Sequence, residues 1–320
     1  MIKRVSKPEV SHNKLRLHSS EKTSPWNLIF PKFKEAIKDE DIRYYPNIKS
    51  SKAYSLLQNF YKSNNFLLGA GSDRCIKYFF ELYQSKSKVI TTDPNFPMYN
   101  VYADMYNMEK CLIPYTELKF PIEQVLENIT EDSIVVISNP SSPIGDLITP
   151  VDILRILDSN IPVLIDEAYI EFANGSTALS LIEKRSNLYI TRTFSKGLGS
   201  AGIRVGTIHS QEQNIKLLNQ YRDMYEITGL SLKWIEVLLE HHYYIEEYIN
   251  KVKDTKKFLL DKLKKKDIQH ITSESNWVHI RGDFNIPENI ELRKDCKILD
   301  LGNDWIRLCV SEDIEDYNWI

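Results

Sequence analysis

Six short apolar runs punctuate the middle of this chain: Phe66–Leu68, Val89–Thr92, Ile134–Ser138, Val163–Ile165, Leu188–Thr191 and Val205–His209. Helical patterns separate most of them. Short apolar runs alternating with amphipathic helices predict an α/β domain with a mostly parallel sheet flanked by helices. In such a sheet ligands gather outside the carboxyl ends of the strands. Two of the runs end in chemistry. Val163-Leu-Ile-Asp166 delivers a carboxylate, and the run ending at Thr191 leads into Thr193-Phe-Ser195-Lys196-Gly-Leu-Gly-Ser-Ala-Gly-Ile-Arg204, which sets an amine and a guanidinium among small residues. A partly desolvated carboxylate seeks a cationic partner, and a lysine among apolar neighbours can attack a carbonyl. A third turn, Gly69-Ala-Gly71-Ser72-Asp73, opens a helix whose Ile76, Phe79, Phe80 and Tyr83 share one face. A helix N-terminus with free amides and small residues favours an anion.

Carboxylate, amine and anion cradle are the three needs of pyridoxal 5′-phosphate (PLP). Asp166-x-Ala-Tyr169, then Arg-Thr-x-Ser-Lys196, then Gly202-x-Arg204 resemble the fold-type I PLP aminotransferases. The wording is nearest the branch that holds histidinol-phosphate aminotransferase and threonine-phosphate decarboxylase. The resemblance runs from about Tyr44 to Val310. It implies that Lys196 bonds the cofactor's aldehyde, Asp166 faces the ring nitrogen and Tyr169 faces the ring oxygen. Gly71, Ser72, Asp73, Thr193, Ser195 and Arg204 would hold the phosphate. Phe96, in Asp93-Pro-Asn-Phe-Pro, would stack on the ring where relatives often have tyrosine. Tyr45 would reach the phosphate of a neighbouring subunit, which implies a homodimer with shared active sites. Arg307, in Trp305-Ile-Arg-Leu, would bind a substrate carboxylate or phosphate, with Arg293 as a second anion contact.

The chain departs from the family pattern at three places. Ser142 stands where an asparagine usually bonds the ring oxygen, so Tyr169 becomes that oxygen's main partner. Between His18 and Thr23 only Glu21 matches the usual arm. The stretch from Ile280 to Arg293 is short, which implies a trimmed small domain. The domains expected are an N-terminal arm (1–30), a large PLP-binding domain (31–230) and a shortened small domain (231–320), in which Asn276–Ile280 and Trp305–Val310 read as strands. One continuous helical pattern is expected from Ser231 to about Lys266, with His241 and His242 pointing to different sides of it and Lys256 to Lys266 forming a solvated face.

Composition bounds the rest. A chain of 320 residues that is 42% hydrophobic can bury a large core. A net charge of −3 and a pI near 6.2 argue against a broad nucleic-acid or membrane surface. The first residues lack an apolar leader, and the four cysteines (Cys75, Cys111, Cys296, Cys309) and seven histidines show no metal-ligand spacing, so a cytoplasmic protein with no metal is expected. The implied reaction moves an amino group between a glutamate-like donor and a small, possibly phosphorylated oxo acceptor. Decarboxylation of an amino acid phosphate on the same scaffold is the alternative, and a non-catalytic PLP-binding protein is a remote one.

Overall fold

The computed structural model describes residues 14–175, 177–296 and 304–320. Among them twelve strands form two sheets. Strand β1 (Leu15–Leu17) belongs to the smaller sheet. The larger sheet takes β2 (Phe66–Gly69), β3 (Lys88–Asp93), β4 (Glu109–Pro114), β5 (Ser133–Ser138), β6 (Val163–Asp166), β7 (Leu188–Thr193) and β8 (Gly206–His209). Their spatial order is β2-β8-β7-β6-β5-β3-β4. From β7 to β4 every pairing is parallel, while β8 runs antiparallel to both of its neighbours. This is the expected α/β architecture.

All six predicted strands form. The edge strand β4 was not anticipated: most of its residues are exposed, and its apolar run, Cys111-Leu112-Ile113, is short and bounded by charged residues and Pro114. The central strands β5, β6 and β7 are buried along their whole length, as a sheet covered on both faces requires. One face packs on Ile76, Phe79, Phe80, Tyr99 and Tyr102, from the helices Ser72–Leu82 and Met98–Met105. The other carries Val135, Ile137, Val163, Ile165, Leu188 and Ile190, covered by Ile153, Ile156 and Leu157 of the helix Pro150–Leu157.

The smaller sheet adds β9 (Gln269–Ile271), β10 (Trp277–Arg281), β11 (Ile290–Cys296) and β12 (Trp305–Cys309), in the order β1-β11-β12-β10-β9. Strand β1 pairs in parallel with β11, so the N-terminal arm enters the C-terminal sheet. The expected single helix is two: Gly229–Glu240 and Tyr243–Lys265. His241 and His242 sit in the break between them, where the amide of His241 bonds the Leu238 carbonyl and the chain restarts. Apolar residues continue on both sides of that break, so periodicity alone runs across it.

The lysine-rich face is exposed at Lys257, Lys264, Lys265 and Lys266. Lys256 is a correction. Its Nζ turns inward to the carbonyls of Ser273 and Ser275, the latter at 2.8 Å, and burial pulls its pKa down to about 8. That turn lies against Gly145 of the larger sheet's Ser142 loop, with the Glu274 amide on the Gly145 carbonyl at 2.7 Å. Among the described residues no helix is long and apolar enough to cross a membrane.

Candidate active site

Register sets the floor of the site. At the carboxyl ends of β5, β6 and β7, Ser138 pairs with Asp166 and Asp166 with Thr191, so three polar side chains stand in a row across three strands. Asp166 is buried and accepts two hydrogen bonds: from Thr191 Oγ1 to Oδ1 at 2.8 Å, and from Tyr99 Oη to Oδ2 at 2.9 Å. No lysine or arginine among the described residues forms an ion pair with it. Burial raises its pKa to about 6 even with both donors in place. Among the described residues this buried carboxylate therefore has hydroxyl donors and no cationic partner.

The next residue points the other way, as alternation along a strand dictates. Glu167 accepts from the Arg192 guanidinium at 3.1 Å and from the Ala178 amide at 2.6 Å, and Arg192 also grips Glu171 at 2.7 Å. The three charges are almost completely buried. Glu171 follows the Tyr169 turn and packs beneath Gly197, where an added Cβ would lie 2.5 Å from the Glu171 Cβ. This ion cluster therefore fastens the ends that carry Asp166, Tyr169 and Lys196 to one another.

Lys196 lies in the turn after β7. Its Nζ donates to the carbonyl of Ser19 at 2.5 Å and sits 5.7 Å from the Tyr169 ring centroid. The Tyr169 ring meets Trp277 edge-on at 4.7 Å. Arg307, on β12, lies 5.1 Å from the Trp277 ring. It donates to the His18 carbonyl at 2.9 Å, and it is buried with Nε lacking a hydrogen-bond partner. The amine and the guanidinium thus hold consecutive carbonyls of the arm.

The turn expected to hold an anion lies where β2 and β8 meet the helix Ser72–Leu82. Gly71 has φ +86°, and a Cβ there would lie 2.4 Å from Arg204 Nη2, so the guanidinium rests directly on the turn. At Gly206 a Cβ would strike the Ser72 amide nitrogen at 2.2 Å. Both positions need glycine for close approach. Arg204 also reaches Ser195 Oγ at 3.4 Å, and Thr193 Oγ1 accepts the Ser195 amide at 3.1 Å. Asp73 is held by Tyr102, whose hydroxyl donates to its carboxylate at 2.6 Å.

A model of the aminotransferase class I and II family matches residues 12–315. The chain belongs to that family. It is 30% identical to a histidinol-phosphate aminotransferase of Pyrococcus furiosus over 291 residues, covering 87% of this chain and 84% of that one. The fold is shared with a histidinol-phosphate aminotransferase of Sinorhizobium meliloti solved in complex with PLP (TM-score 0.82, 19% identity, 94% of this chain and 87% of that one). It is shared too with an L-threonine-O-3-phosphate decarboxylase of Porphyromonas gingivalis (TM-score 0.77, 17% identity, 94% and 96%). The protein is a PLP-dependent aminotransferase. The residues present fit that cofactor: a buried carboxylate lacks a cation, a glycine-lined cradle carries an arginine, and a lysine stands at the end of the adjacent strand.

The other anticipated residues of this aminotransferase fall as follows. Phe96 is half-buried with its ring edge-on to Tyr99, centroids 5.5 Å apart. Ser142 offers its amide to Ser138 Oγ at 2.9 Å, and Asn139 is occupied within the same loop, accepting the Ile148 amide at 2.9 Å. Tyr45 is 77% exposed and stacked on Tyr225 at 4.1 Å. Arg293 is opposite Arg307 in the β11–β12 register, and its side chain lies outside the described residues. Tyr99, Thr191, Ser138 and Trp277 were missed. Thr191 carried a signal, since it shares the polar end of β7 with Thr193 two residues on. Nothing in the local sequence separates Tyr99 or Trp277 from ordinary core aromatics.

Proposed function

We propose that this aminotransferase moves an amino group between a glutamate-like donor and a small phosphorylated oxo acceptor, as the names of its relatives suggest. The observation that carries the reading is Arg307: a buried guanidinium that bonds the arm carbonyl next to the one held by Lys196 and lies 5.1 Å from the Trp277 ring suits an anion. Arg293 is proposed as a second contact with the substrate anion.

In this reading Lys196 bonds the cofactor, Asp166 keeps the ring nitrogen protonated and Tyr169 bonds the ring oxygen, with Ser142 beside it. Phe96 covers the ring. The turn at Gly71, Ser72 and Asp73, with Thr193, Ser195 and Arg204, holds the phosphate. When bound, PLP supplies an aldehyde that takes an amine and a ring that accepts the electron pair left at the substrate α-carbon. Lys196 Nζ would carry the proton taken from that carbon. Arg307 would orient the substrate through its anionic group.

A homodimer with shared sites completes the proposal, supported by the exposed cluster of Ile42, Tyr44, Tyr45, Met224 and Tyr225. The scattered cysteines, of which Cys75, Cys111 and Cys309 are free, support a cytoplasmic setting.

The test is borohydride reduction of the holoprotein, peptide mapping, and incubation with amino donors and with phosphorylated amino acids. The reduced adduct is expected on Lys196, and glutamate should convert the cofactor to its amine form without gas until an oxo acceptor restores it. An adduct on another lysine overturns the assignment. Stoichiometric carbon dioxide from an amino acid phosphate with no acceptor present would make the protein a decarboxylase.

A further inference from the structure

A buried carboxylate, Glu226, lies against the turn proposed to hold the phosphate. It belongs to the segment 221–226, which precedes the helix Gly229–Glu240, and its side chain is 5% exposed. Its Oε2 accepts the Ala70 amide at 3.2 Å, and its Oε1 accepts from the Tyr78 hydroxyl and from Arg222 Nε, the latter at 3.2 Å. Ala70 stands between Gly69 and Gly71 in the turn, and Tyr78 lies on the helix Ser72–Leu82 that the turn opens. One side chain therefore holds turn and helix together. Arg74 of the same helix returns the grip: it donates to the Tyr221 carbonyl at 3.2 Å, pairs with Asp223 at 3.1 Å and lies 4.5 Å from the Tyr78 ring.

A negative group so near an anion's seat opposes the anion by charge. Arg222 meets that charge locally, and what Glu226 supplies to the turn is an acceptor. The neighbouring amides are already directed. Gly71 donates to the Gly69 carbonyl at 2.7 Å, and Arg74 and Cys75 donate to the Gly71 carbonyl at 3.2 and 3.4 Å. With Ala70 bonded to Glu226, the amides of Ser72 and Asp73 are left, and as the first residues of their helix they have no acceptor within it. Amides at a helix start point outward toward an anion, here beside the guanidinium that rests on Gly71.

We infer that Glu226 is a positioning residue for the cofactor's phosphate: by holding the Ala70 amide it fixes the turn in the form that presents the Ser72 and Asp73 amides beside Arg204. The inference rests on the reading of the Gly71 turn as the phosphate site. Glu226 acts through the turn and does not itself touch the phosphate.

The experiment titrates PLP, and pyridoxal, which lacks the phosphate, onto apoprotein by absorbance. The ratio of the two affinities measures the phosphate site, because a general loosening of the fold weakens both ligands together. The parent is compared with Arg204→Ala, Glu226→Ala, Glu226→Gln and Glu226→Asp. In Glu226→Ala the ratio is expected to fall about tenfold, the worth of one hydrogen bond to a charged group, with pyridoxal affinity nearly unchanged. Glu226→Gln keeps an oxygen for the Ala70 amide and removes the opposing charge, so it should retain the parent ratio. Glu226→Asp keeps the charge but draws the oxygens back by one methylene, and its ratio should fall toward that of Glu226→Ala. A ratio lowered by Arg204→Ala but untouched by Glu226→Ala overturns the inference and leaves the phosphate site standing. So does a Glu226→Gln ratio as low as that of Glu226→Ala. Should Glu226→Ala fold poorly, Glu226→Asp decides: an unchanged ratio overturns the inference. An Arg204→Ala variant with the parent's ratio overturns the phosphate site and the inference together.

Discussion

A buried carboxylate without a cation is costly to the empty protein, and Asp166 carries that cost. Its pKa is raised from 3.8 to about 6, so the folded state binds the proton more tightly than the unfolded chain does. The sign follows directly. Above pH 6 the buried charge lowers stability, and the penalty is relieved as the pH falls from 6 toward 4. Asp166→Asn keeps the shape and removes the charge, so the PLP-free variant should be more stable than the parent at pH 8 by about 2–3 kcal/mol. That advantage should fade at pH 4 to 5, while turnover with PLP supplied collapses. Urea unfolding at both pH values checks it. A variant no more stable than the parent at pH 8 would show that the carboxylate is compensated by something other than its two hydroxyl donors.

Two elements meet closely at the proposed anion cradle. A Cβ at Gly206 would stand 2.2 Å from the Ser72 amide nitrogen, and a backbone atom cannot rotate aside as a side chain can. Gly206→Ala should therefore push β8 away from the N-terminus of the helix Ser72–Leu82. The expected result is a loss of about 1–3 kcal/mol in stability and at least about tenfold weaker PLP binding, read by thermal unfolding and cofactor titration. Unchanged PLP affinity would mean that this helix end does not hold the phosphate. The cluster of Glu167, Arg192 and Glu171 does related work one layer below, holding the ends of β6 and β7 at a fixed spacing.

For the whole molecule, the proposed sharing of sites between two copies makes a prediction about mixtures. Lys196→Ala and Tyr45→Ala should each be inactive or nearly so. Co-expressed, they should recover activity in the mixed dimer, where one of the two sites has its own lysine and the partner subunit's tyrosine. Sedimentation should show the dimer throughout. Absence of recovery, with mixed dimers present, would confine Tyr45 to its stacking with Tyr225.

What the sequence determined by itself is local. Apolar runs buried on both faces form β5, β6 and β7 because nothing in their surroundings can make them otherwise, and the polar residues that end them necessarily fall at the strand ends. Asp166, Lys196, the Gly71 turn and Arg204 were legible for that reason, together with the fold class. The edge strand β4 and the break at His241 were not, because exposure erases the apolar pattern in the first and continuous apolar spacing hides the second. Tertiary structure alone decided which distant groups meet. Strand register placed Ser138 and Thr191 on either side of Asp166, and helix packing brought in the Tyr99 hydroxyl. The pairing of β1 with β11 carried the arm's carbonyls to Lys196 and Arg307. A hydroxyl's worth to a carboxylate depends on a few tenths of an ångström between segments far apart in the chain, and no local pattern encodes that distance.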